Sequence, residues 1–141
     1  GQRSVSLLRL GPTSFKTLTE VLRRNGLVGV VADRDLQKNG IRIDLFGVET
    51  TLPAGPVILA LRTGAALIPA FTFRRGEGRF LARFGEPVKL DRTGDLREDM
   101  KVNTRKLAAI LEETVASGPE QWIVFEPRWP EDDGKPSVPA P

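Results

Sequence analysis

Apolar residues return at helical spacing over residues 14–25, where Phe15, Leu18, Val21 and Leu22 share one face. Ser14 is the expected N-cap. Asn25-Gly26 ends the helix, because glycine accepts a left-handed conformation just past a helix end. The pattern then changes. Leu27, Val28, Gly29, Val30, Val31 and Ala32 form a continuous apolar run, the mark of a strand buried on both faces of a parallel or mixed sheet. Residues 41–47 alternate apolar and polar, which predicts a short edge strand. Pro53, Gly55 and Pro56 open a second helix, carried by Val57, Ile58, Leu59, Ala60 and Leu61 and stopped at Thr63-Gly64. It is apolar nearly all round and therefore buried.

Residues 66–73 read as the next strand, with Pro69 marking an edge or a bulge. Residues 74–78 form a turn, and residues 79–84 return as the partner strand of a hairpin. The longest helix covers residues 95–117. Asp95 and Glu98 have capping-box spacing, and Leu96, Met100, Leu107, Ile110, Leu111 and Thr114 fall on one stripe. Gly118-Pro119 stops it, and residues 120–125 suit a closing strand. The expected fold is α/β, with a mixed, mostly parallel sheet flanked by helices. From Pro130 onward proline and acidic residues dominate, so residues 130–141 read as a disordered tail.

Composition narrows the chemistry. The 141 residues contain no histidine, cysteine or tyrosine. Within this chain that excludes Ser-His-Asp and Cys-His catalysis, histidine or thiolate metal ligation, and disulfides. The expectation is that no metal or cofactor is bound. Charge is uneven: residues 1–92 carry 15 basic and 8 acidic side chains, residues 93–141 carry 6 and 10. A basic first part points to anionic partners such as phosphates, nucleic acid or an acidic membrane surface, and equally fits an Arg-rich solvated surface. The scarcity of aromatic residues there argues against single-stranded nucleic acid. No apolar run approaches the roughly 18 residues that span a bilayer. Gly1 stands in place of an initiator methionine, as expected of a processed chain or one cut from something longer.

Four segments are candidate sites. Asp33-Arg34-Asp35 follows the apolar run directly, where ligands bind beyond the carboxyl ends of strands; it is also readable as a salt-bridged loop. Neighbouring residues on an extended segment face opposite ways, so the two carboxylates do not make an acid–base pair. In the segment from Glu49 to Pro56, Thr51 supplies a hydroxyl near a helix start and Gly55 leaves room for an anion at the backbone N–H groups. The competing reading is a cap on a packed helix. Arg74-Arg75, extended by Arg79 and Arg83, is a basic hairpin tip. Pro119-Glu120-Gln121-Trp122, with Arg128-Trp129 beyond it, is either a membrane-interface feature or a packing anchor.

Taken in order, these segments resemble the C-terminal half of the lipid A biosynthesis (lauroyl/myristoyl) acyltransferases and the related phosphatidylinositol mannoside acyltransferases, within the lysophospholipid acyltransferase-like superfamily. The matching pieces are Val30 to Asp35, Leu45 to Glu49 with Pro53-Ala54-Gly55 and Leu59-Ala60, Gly64 to Pro69, and Pro119 to Trp122 followed by Phe125 and Arg128-Trp129. The resemblance implies an incomplete acyltransferase-type α/β domain over residues 1–129. It also implies a fatty acyl transfer from acyl carrier protein or coenzyme A to a lipid or glycolipid acceptor at the cytoplasmic face of the bacterial inner membrane. In that family a His-x4-Asp/Glu motif, N-terminal to all these pieces, supplies the general base. This chain has no histidine, so it is expected to be inactive alone and to depend on a missing N-terminal half. Phe125-Glu126-Pro127 departs from the lipid A enzymes and leaves a glycolipid or phospholipid acceptor open.

By the same resemblance, Arg34 holds phosphate or sugar, and Asp33 and Asp35 orient it. Glu49, Thr51 and Gly55 border the reaction centre, and Arg74 meets anionic head groups. Removing the rest of the sheet should expose an apolar edge, covered by a dimer or a swapped assembly. Two other classes fit parts of the sequence. One is a non-enzymatic basic module that binds anionic lipid or nucleic acid. The other is a carboxylate enzyme built on Asp33 and Asp35.

Overall fold

A computed structural model describes residues 5–8 and 13–123. Its elements run α1 (Ser14–Arg23), β1 (Ile41–Leu45), β2 (Val48–Leu52), α2 (Gly55–Thr63), β3 (Ala70–Arg74), β4 (Phe80–Phe84) and α3 (Leu96–Ala116), then a 3-10 turn at Pro119–Gln121. Helix α1 ends where Asn25 turns to positive φ and the Gly26 N–H donates to Val21 O at 2.9 Å. Its N-cap is Thr13, and Ser14 is already the first helical residue.

The chain is of mixed helix and sheet class, but the mostly parallel sheet is corrected. The described residues form two separate antiparallel hairpins, β1–β2 and β3–β4. A tight connection forces antiparallel pairing, whereas a parallel pair needs a crossover of a dozen or more residues. Between β1 and β2 only Phe46 and Gly47 intervene, both at positive φ (55° and 78°), which is type I′ geometry. Asp44 Oδ1 accepts the Gly47 N–H at 2.8 Å. Strand β2 departs from the expectation for residues 49–56, whose hydroxyls, prolines and glycine signal the approach to a helix. Its Val-Glu-Thr-Thr-Leu sequence has the β-branched alternation that marks a strand.

The apolar run 27–32 is the larger departure. It joins no ladder, and Leu27 and Val31 are 94% and 84% exposed. Its composition suits burial on both faces, but the described residues supply no neighbouring strand on either edge. The expected strand 66–73 becomes β3 preceded by residues 65–69, of which Leu67 and Pro69 bond to the chain just after β4. Residues 124–125 of the expected closing strand, Arg128-Trp129 and the 130–141 tail lie outside the described residues.

The core forms where one face of the β1–β2 hairpin meets α3. Ile43, Leu45 and Leu52 pack with Ala108 and Leu111, flanked by Ile41, Phe71, Val115 and Trp122. Helix α2, buried as expected, closes with Gly64 at φ 74°. Its last carbonyls are met by Arg92, which donates to Leu61 O at 2.7 Å and Ala60 O at 3.3 Å. Asp95 caps α3 by accepting from the Arg97 and Glu98 N–H groups.

The stripe expected on α3 is shifted. Leu96 is exposed, while Asp99, Asn103 and Thr104 are buried. Two of these polar groups hold the preceding loop. Asn103 Oδ1 accepts the Asp91 N–H at 2.9 Å and its amide donates to Asp91 O and Asp99 O. Asp99 Oδ1 accepts both the N–H and the hydroxyl of Thr93, at 2.7 and 2.8 Å. These bonds hold the Asp99 carboxyl below its usual value, with the Gly94 N–H and the Arg92 charge adding to them. A carboxyl with a lowered folded-state pKa contributes stability that is complete above its unfolded value of about 3.9 and is lost as pH falls through the folded one. Thermal melts from pH 5 toward pH 3 should therefore show a declining acid limb that is shallower in Asp99→Asn. An unchanged limb would exclude this role.

Candidate functional site

The candidate site is built around the loop that follows the apolar run. Its two carboxylates go to different protein partners. The Trp122 indole N–H donates to Asp33 Oδ2 at 3.2 Å. Asp35 Oδ2 accepts the Gly40 N–H at 2.7 Å. Burial pushes the Asp35 carboxyl up. Hydrogen bonds from the Gly40 N–H, the Thr51 hydroxyl and the Asn39 and Lys38 N–H groups outweigh it and hold the group below the usual carboxylate value. Asp35 thus ties loop 35–40 to strand β2.

Gly40 is required by close approach. A Cβ there would fall on the Leu52 carbonyl oxygen and lie 2.7 Å from Asp35 Oδ2. Half-buried Arg34 sits between the two anchored carboxylates. Among the described residues it has no hydrogen bond or ion pair, so its planar fork of donors is available to a phosphate or carboxylate.

The Pro-Glu-Gln-Trp segment acts as a bracket. The 3-10 turn carries Gln121 and Trp122 on adjacent positions. Gln121 Oε1 accepts the Arg74 N–H at 2.7 Å, tying the end of β3. Trp122 reaches Asp33 and lies 6.2 Å from the Phe46 ring, at the tip of the first hairpin. Phe46 is held in turn by its N–H, which donates to Glu112 on α3. One short motif therefore connects the Asp33 loop, both hairpins and α3. Trp122 is half-buried against the core, the packing anchor that its flanking charges also allowed.

The other sequence candidates are dispersed. Glu49 is exposed on β2 and meets Arg42 at 3.9 Å in an ion pair that solvent leaves weak. Thr51 joins the Asp35 group. Gly55 opens α2, with open space where a Cβ would stand and Ala54 as an N-cap lacking a side-chain bond. Arg74 lies at the end of β3, its guanidinium 6.0 Å over the Phe80 ring. Among the described residues, Glu49, Gly55 and Arg74 share no hydrogen bond or ion pair with Arg34. Gln121 is the residue missed: the motif was legible, but the backbone N–H it meets lies 47 residues away.

Beside this loop opens a cavity of about 850 Å³. Its walls are residues 26–33 on one side and residues 65–73 on the other, closed by Leu107, Ile110 and Leu111 of α3 and by Trp122. Asp33 lies on its wall. No helix among the described residues is long and apolar enough to cross a membrane.

Residues 3–131 match the family model described as bacterial lipid A biosynthesis acyltransferase. A phosphatidylinositol mannoside acyltransferase of Mycobacterium tuberculosis is 37% identical over 117 residues, covering 82% of this chain and 34% of that protein. One from Mycolicibacterium smegmatis is 35% identical over 115 residues, covering 82% of this chain and 36% of its own length. The chain thus spans about a third of the length of the curated relatives it matches.

Proposed function

The chain belongs to the bacterial lipid A biosynthesis acyltransferase family, and we propose that it is the acceptor-holding part of a membrane-associated acyltransferase. The whole enzyme transfers a fatty acyl group from an acyl thioester to a hydroxyl of a lipid-linked sugar, of the phosphatidylinositol mannoside kind named for the relatives. The acceptor hydroxyl gives its proton to a histidine outside this chain. Its oxygen then bonds the acyl carbonyl carbon, the C–S bond breaks, and the thiol leaves with a proton. An ester and a free thiol result. With no histidine of its own, this chain is inert alone.

The observation that carries this reading is the division of labour in the loop. Trp122 and the Gly40–Thr51 group engage the two carboxylates and hold the backbone, and Arg34 is left to grip the acceptor's phosphate. Arg74 and Arg75 would face anionic head groups at the inner-membrane surface.

The test uses a chimera in which this chain's matched residues replace the corresponding third of the M. tuberculosis relative. Acyl transfer to a phosphatidylinositol mannoside is expected from the chimera and not from the isolated chain. Arg34→Ala should reduce kcat/KM for the acceptor by about 10- to 100-fold, the worth of one charged hydrogen-bonded contact. Arg34→Lys should recover part of it, since lysine keeps the charge without the fork. Turnover by the isolated chain would overturn the proposal, and an Arg34→Ala chimera with unchanged acceptor KM would remove Arg34 from it.

A further inference from the structure

Phe46 stands where the backbone least accommodates it. It is the first of the two residues joining β1 to β2, at φ 55°. That position of a type I′ turn suits asparagine, aspartate or glycine, because a bulky side chain crowds the backbone at positive φ. Among the described residues, the other non-glycine positions at positive φ are Asn25, Lys38 and Glu77, none of them aromatic. Burial does not account for the choice, since Phe46 is 43% exposed. Phe80 and Phe84 are more exposed, yet they sit in ordinary strand backbone, where nothing strains to keep them.

The fold holds this ring in place. The Phe46 N–H donates to Glu112 on α3, and Asp44 Oδ1 accepts the Gly47 N–H at 2.8 Å. The ring lies 6.2 Å from that of Trp122, tilted by 45°, and Trp122 donates to Asp33, the neighbour of Arg34. An exposed ring is thus fixed beside the loop that carries Arg34. Asp44 and Glu112 each hold the turn through one carboxylate oxygen, and among the described residues no hydrogen bond or ion pair engages the other. This combination suits a sugar. The C–H face of a pyranose packs on the negative face of an aromatic ring, and its hydroxyls donate to carboxylates. A fatty chain gains nothing from the carboxylates, and a phosphate is repelled by them.

We infer that Phe46 determines specificity for the acceptor. Its ring packs against the pyranose of the lipid-linked sugar, the second oxygens of Asp44 and Glu112 accept sugar hydroxyls, and Arg34 takes the phosphate. The inference deepens the proposed function and rests on it.

The test separates the ring from the charge. Two water-soluble probes, deacylated phosphatidylinositol mannoside and glycerophosphoinositol, carry the same phosphate and differ only in mannose. Both are titrated calorimetrically into the chimera. The parent should bind the mannoside about 3- to 10-fold more tightly, the worth of one good aromatic contact. Phe46→Leu should erase that preference, Phe46→Tyr should keep it, and Arg34→Ala should weaken both probes alike. Phe46→Asn should erase it as well, while leaving the urea midpoint of the isolated chain at or above the parent's, because asparagine suits the turn. Equal binding of the two probes by the parent, or a preference that survives Phe46→Leu, overturns the sugar contact and spares the proposed function. A Phe46→Asn midpoint well below the parent's assigns the ring to the fold and also overturns the inference. Binding of neither probe by a folded chimera removes the proposed function with it. Should the chimera not fold by circular dichroism, the same titrations are made with the isolated chain and read in the same way.

Discussion

Leu45→Ala should lower the unfolding free energy by about 2–5 kcal/mol, a large share of the 5–15 kcal/mol typical of a whole domain. Leu45 is fully buried on the inner face of β1 and belongs to the cluster of Ile43, Leu52, Ala108 and Leu111. Removing its side chain leaves a cavity between a short hairpin and a single helix. The hairpin cannot collapse onto it, because its register is held by the Phe46-Gly47 turn. Val48 stands directly opposite Leu45 in the ladder but is 42% exposed, so Val48→Ala should cost much less, within about 1 kcal/mol. Urea unfolding followed by tryptophan fluorescence measures both, with Trp122 packed beside this cluster. Equal midpoints for the two variants would show that the core is not where the hairpin meets α3.

Gly40→Ala should be destabilising by about 1–3 kcal/mol, the usual cost of forcing a group into filled space. The obstacle is backbone: the new methyl would meet the carbonyl of Leu52, whose own side chain is 3% exposed in the core. Whatever moves, the Gly40 N–H leaves Asp35 and the loop carrying Arg34 loosens. In the chimera the acceptor KM should therefore rise with Gly40→Ala even though residue 40 is not assigned to the substrate. Gly29→Ala is the control, since a Cβ there meets nothing within 4 Å; it should leave the unfolding free energy of the isolated chain, from urea titration, within about 0.5 kcal/mol of the parent. If Gly40→Ala unfolds the chain, Asp35→Asn gives the milder version, weakening the same anchor without steric conflict.

Several elements were legible because their causes are local. Asp95 before a periodic run gives the start of α3, and Gly118-Pro119 gives its end. The Arg-Arg-Gly-Glu-Gly segment gives the second hairpin, with Gly76, Glu77 and Gly78 all at positive φ. The family was legible too, since motif order along a chain needs no coordinates. The departures have two causes, one tertiary and one local. The stripe chosen on α3 counted apolar residues, yet Asp99 and Asn103 are buried because the loop at 91–94 brings backbone donors and acceptors to them. Strand β2 departs from expectation because Pro53 and Gly55 signal a helix start and mask the alternation just before them.

The sequence by itself determined the short-range structure, the family, and the absence of a histidine base, because each depends on residues a few positions apart or on composition alone. Tertiary structure decided the rest. It supplied the partners of Asp33 and Asp35, an indole 89 residues away for one and a glycine N–H five residues away for the other. It also turned a run patterned for burial into one wall of a cavity. A residue's periodicity records the face it is suited to hide, but only the neighbours that reach it decide whether that face is covered. For residues 27–32 those neighbours are not among the described residues.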